Sequence, residues 1–188
     1  MFESFRAVIT EVDEAGVSTF RTVDTVEPIH VRTPLTETKE RTGTLWQIWG
    51  TPDGGASLLD PAVPVRSPGF PGPGGTRFSV FSIPPDSWAT DRSDGTTASG
   101  DHLGIANSHE VDPETGDAAF HATASIDYLC VIKGELVLEL DEGRRETLTP
   151  GTCVVQRGTN HAWRNLGTEP AVLVSILVGA HREATPAP

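Results

Sequence analysis

Three side chains with metal-binding chemistry, His121, Asp127 and His161, stand in two strand-like stretches separated by a turn at Asp141-Glu142-Gly143. Imidazole nitrogens together with a carboxylate and open positions form a donor set that suits one divalent ion, Fe, Zn, Mn or Ni. Alternate residues of an extended strand share a face, so His121, Thr123, Asp127, Leu129 and Val131 are expected on one wall. Taken singly, a strand histidine is more often a hydrogen-bonded core residue, and Asp127 could simply anchor a turn. Chance would rarely place all three such groups on one wall.

The stretches that must position these groups carry a resemblance. Around the first, His121 is followed by Thr123, Asp127 and Gly134; around the second, Gly151 is followed by Gln156, Arg157, Gly158, His161 and Asn165. These spacings resemble the two motifs of the cupin superfamily. Against that pattern Thr123 stands for a second histidine, Asp127 for glutamate and Gln156 for proline, and the second motif is one residue short. The resemblance implies an all-β, single-domain jelly-roll β-barrel, commonly a dimer, with one divalent metal held by His121, Asp127 and His161.

The chain is expected to be one domain over residues 1–180, followed by a disordered tail at 181–188. An N-terminal hairpin is expected over 5–20, turning at Asp13 to Gly16, and a metal-motif core over 121–165. Residues 21–42 show little periodicity, and His30 among them reads as a surface side chain. Trp46 and Trp49 are an odd number of residues apart, which puts them on opposite faces of a straight strand. Thr76–Ile83 reads as a strand ended by Pro84-Pro85, and the AVLVSILV run after Glu169 as a central strand covered on both sides.

Between that strand and His121 lies a lid-like insertion, residues 86–120, a long loop with room for a short helix at 97–108. It carries Trp88, Asp101, His102, His109 and Glu110. His102, His109 or Asp101 could act as catalytic acid or base, or a histidine could complete the ligand set; the plainer reading is solvated loop side chains. Thr123, Leu129, Val131, Gln156 and Trp163 are the candidate substrate-binding wall, Trp163 because it shares a face with His161. Tyr128 is expected on the opposite face, packed between sheets.

With apolar walls and few positive groups beyond Arg157 and Arg164, the expected substrate is small and neutral or aromatic. A lyase, dehydratase, isomerase or cyclase type of reaction is the leading expectation. A non-haem iron dioxygenase and a non-catalytic small-molecule-binding cupin are the alternatives. The net charge of -12 argues against nucleic acid. No apolar stretch is long enough for a membrane span, and the protein is expected to be cytoplasmic and a homodimer. Cys130 and Cys153 read as small buried hydrophobes or free thiols, with a reactive pair as the minor reading.

Overall fold

The computed structural model describes residues 4–36, 38–58, 70–91, 108–109 and 119–182. The chain opens with β1 (Phe5–Val12), β2 (Ser18–Val26), β3 (Ile29–Pro34), β4 (Lys39–Thr51) and β5 (Thr76–Ile83). Two short strands follow, β6 (Thr90–Asp91) and β7 (Ser108–His109), then β8 (Ala122–Thr123), β9 (Ser125–Lys133) and β10 (Leu136–Leu140). β11 (Arg144–Leu148), β12 (Cys153–Arg157), β13 (His161–Arg164) and β14 (Ala171–Gly179) complete the order. No α-helix occurs among the described residues; residues 97–107, most of the expected helix, lie outside them, and Ser108 is extended.

The larger sheet runs β12-β9-β14-β5-β4-β3, with β6 added beside β4, and a smaller sheet runs β11-β10-β13. All their pairings are antiparallel. This is the all-β architecture of antiparallel sheets expected of a cupin barrel.

Period-two alternation explains how the sheets face each other. Leu136 and Leu138 of the small sheet meet Val131, Leu173 and Leu148 in one buried apolar cluster, with Phe81, Leu129 and Trp163 packed around it. Burying such a set is the main drive for closing the two sheets. Toward the other end of the same interior face the residues turn polar: Ser79 pairs with Ser175, and Asp127 lies between Gln156 and Leu177 across three neighbouring strands. All four of these polar residues are buried. The interior is therefore graded, apolar at one end and polar at the other.

Gly134 and Asn165 hold the corners. Gly134 sits at φ 72°, and a Cβ there would lie 2.9 Å from the Cα of Ala171, so only glycine fits the turn into β10. Asn165 is fully buried: its amide nitrogen donates to the carbonyls of Ile83 (2.8 Å) and Glu169 (3.0 Å), and its side-chain oxygen accepts from the Gly167 amide. Its backbone amide donates to Asp86, which also pairs with Arg41. On the outer face of the small sheet Glu139 accepts from Arg145 and Arg164, and both strands beside β10 are thereby cross-tied.

Three expectations change. The hairpin turns at Asp13–Gly16 as expected, with the Gly16 amide donating to the Asp13 carbonyl, but its second strand continues to Val26, and residues 29–34 and 39–51 are strands too. Threonines and charges had hidden that regularity, on the exposed β2 and also on β3 and β4, where they stand among buried residues. Trp46 and Trp49 share a face, because a bulge between Gln47 and Trp49 resets the alternation: they stand opposite Val80 and Phe78, which are themselves on one face. Phe5 packs edge-on against Trp46 and Arg21 lies over Trp49, both from the hairpin. Tyr128, finally, is half exposed on the outside of the large sheet, in a row with Val155, Ile176 and Phe78, instead of lying between sheets.

Candidate metal and substrate site

His121 and His161 come together by backbone pairing. Each residue's amide donates to the other's carbonyl at 3.0 Å, and the rings stand 4.5 Å apart, centroid to centroid. His121 Nδ1 lies 3.1 Å from the Ala119 carbonyl and His161 Nδ1 lies 2.9 Å from the Thr159 carbonyl. A carbonyl accepts only, so the proton belongs on Nδ1 in both rings and the lone pair on Nε2. That is the tautomer a metal-ligating histidine takes when a backbone carbonyl holds its other nitrogen.

Desolvation keeps both rings neutral. Burial lowers His121 below the ordinary imidazole value, against the opposing pull of the Ala119 hydrogen bond. His161 is lowered to about 3 by burial first and by the neighbouring His121 second. Neither ring competes with a cation for a proton near neutrality. Gln156 shares the acceptor used by the second ring: its amide nitrogen donates to the Thr159 carbonyl and hydroxyl, and its 3.1 Å approach to His161 Nδ1 sets two donors side by side. Trp163 meets His161 edge to face at 6.0 Å, on the shared face the alternation implied.

Asp127 projects into the same interior, opposite Gln156 in the strand pairing. One of its carboxylate oxygens, Oδ1, is buried without a hydrogen-bond partner, and burial raises the group to about 6 against a hydrogen bond from Ser125. Among the described residues no three of His, Cys, Asp and Glu stand close enough to share an ion. The two imidazoles fit a metal as part of a set, while Asp127 does not complete that set with them. One methylene less than glutamate, on a strand whose partner is Gln156 instead of β13, leaves it a separate buried acid.

The other expected wall residues are distributed along the interior. Thr123 is buried with its hydroxyl 2.8 Å from Ser125 Oγ, while its carbonyl accepts from Arg182. Leu129 borders the apolar cluster and Val131 lies inside it. Arg157 is exposed, and Arg164 is taken up by Glu139 and by the ring of Phe120. Asp101 and His102 lie outside the described residues; the backbone of His109 is described, and it pairs with Ala122, directly after His121. Ser125 was overlooked, although its position between Thr123 and Asp127 gives it the parity of the wall. Arg77 and Ser79 were also missed, since a strand reading TRFSVFSI does not say which face is inward.

Comparisons with known proteins add the family. The Cupin_2 cupin-domain model matches residues 107–177. Phomopsin biosynthesis cluster protein C' of Diaporthe leptostromiformis is 52% identical over 50 residues, which is 27% of this chain and 26% of that protein. The cupin-domain-containing oxidoreductase virC of Hypocrea virens is 38% identical over 61 residues, 31% of each chain. The chain thus matches only about a quarter to a third of the length of these relatives. Among solved structures, the polyketide cyclase RemF from Streptomyces resistomycificus is similar at 17% identity, covering 81% of this chain and 72% of that one, with a TM-score of 0.43. Both histidine motifs lie inside the matched segment, so residues 107–177, with the antiparallel sheets around them, carry a cupin domain.

Proposed function

We propose that this chain is a metal-dependent cupin enzyme acting on a small neutral or aromatic organic substrate, in a lyase, dehydratase, isomerase or cyclase type of reaction. The observation that carries the reading is the pair of adjacent neutral imidazoles, each with Nδ1 committed to a backbone carbonyl and Nε2 left as a donor. His121 and His161 would hold the ion, and the segment at 101–110 is the proposed source of a third donor, since the β7 backbone is paired beside His121. When bound, such an ion polarises a carbonyl or enolate oxygen of the substrate.

Asp127 has the complementary role. A carboxyl brought to about 6, with an unpartnered oxygen inside the barrel, can take up or release a proton at Oδ1 near neutral pH. Leu129 and Trp163 border the apolar end of the interior and would receive the flat or apolar part of the substrate. Similarity to proteins named for biosynthesis clusters supports a small metabolite as that substrate.

The test is elemental analysis of purified protein after metal loading, on wild type, His121→Ala, His161→Ala and His109→Ala. Close to one equivalent in wild type, lost in the first two variants, is the expected result; equal metal content in all four would overturn the site. A second reading, a non-haem iron dioxygenase, draws support from the name of the Hypocrea virens relative, a cupin-domain-containing oxidoreductase. Oxygen uptake with candidate phenols separates the two, because turnover that persists without oxygen leaves only the first.

A further inference from the structure

On the outer face of the large sheet, away from the histidines, Cys130 of β9 and Cys153 of the edge strand β12 stand directly opposite each other. The next residue along, Val131, uses both its amide and its carbonyl toward residues 151 and 152 of the neighbouring chain segment. Alternation then makes Cys130 and Cys153 a non-hydrogen-bonded pair, the kind whose side chains approach most closely. Such pairs hold their Cα atoms about 4.5 Å apart, inside the roughly 4.4–6.8 Å that a disulfide spans. Both are free thiols, Cys153 exposed and Cys130 half-buried, and burial, a hydrogen bond to Cys153 and its field all push the Cys130 thiol up. The two sulfurs are therefore neighbours, and one of them is open to solvent.

We propose that Cys130 and Cys153 form a reversible dithiol–disulfide pair that fastens the edge strand β12 to β9. The oxidant is a low-molecular-weight disulfide. The Cys153 thiolate attacks one sulfur of that disulfide, the external S–S bond breaks, and one small thiol leaves. Cys130 then gives up its proton and attacks the Cys153 sulfur of the mixed disulfide, releasing a second small thiol and closing the protein S–S bond. Two electrons pass from the protein dithiol to the external disulfide. The staple bears on the site because β12 and β9 carry Gln156 and Asp127 on their inward face, three register pairs along from the cysteines.

The experiment equilibrates the full chain in mixtures of oxidised and reduced glutathione, traps remaining thiols by alkylation and reads intact mass. The expected product lacks two hydrogens, resists alkylation at both cysteines, remains un-crosslinked on a non-reducing gel and reverts with dithiothreitol. Cys130→Ser and Cys153→Ser should each abolish that species. If either variant fails to fold, the wild-type mass decides alone. Mixed disulfides without ring closure, cross-linked chains, or two freely alkylating thiols throughout the series would each overturn the proposal.

Discussion

Replacing Asp127 by asparagine tests the reading of that residue as a desolvated acid, because the change removes the charge and keeps the shape. The carboxyl titrates at an ordinary 3.8 when exposed and at about 6 in the fold, and burial is the leading cause. A folded-state value above the unfolded one means that the folded chain holds the proton more tightly. The associated stability is fully present below the unfolded value and is lost as pH rises through the folded one. The full gap corresponds to about 3 kcal/mol, of which about 2 kcal/mol falls between roughly pH 4 and pH 8. Asp127→Asn lacks this loss. Urea unfolding of metal-free wild type and variant across that range should show the variant gaining on the wild type by about that amount as pH rises. A constant difference between the two proteins would refute a desolvated acid at this position, whatever its size. A difference that grows toward acid would mean that the carboxylate has a partner in the fold.

Other consequences can be checked by the same unfolding measurement. His161 is lowered to about 3, so it opposes protonation, and its contribution is lost as pH falls below the ordinary value of 6.5. By about pH 5 this costs about 2 kcal/mol, and His161→Gln should flatten that acid limb. Asn165→Ala removes donors to the Ile83 and Glu169 carbonyls in a fully buried place and is expected to cost about 2–4 kcal/mol; a loss below 1 kcal/mol would mean that water replaces the amide. Gly134→Ala forces a Cβ against the Ala171 backbone at a positive φ, with an expected loss of about 2–3 kcal/mol and a broadened unfolding transition.

Much of the site was legible because strand parity is a local property. His121, Thr123, Asp127, Leu129 and Val131 follow a period of two, and the positions of Gly134, Gly151 and Asn165 set the turns that return the second motif to the first. Ser125 could have been read from the same pattern. The bulge after Gln47 could not, since inserting one residue into a strand changes which face every later side chain takes, and only pairing with β5 reveals it.

The amino-acid order alone determined the strands around the two motifs, their turns and the two imidazoles as donors, because alternation, glycine conformation and side-chain chemistry act within a few residues. Only the tertiary structure decided that the two histidine backbones pair with each other and fix their tautomers through Ala119 and Thr159. It also decided that Asp127 lies buried apart from them, and that Cys130 faces Cys153. These depend on which strands become neighbours, a choice made by closing an apolar interior between two sheets, and no short stretch of sequence contains it.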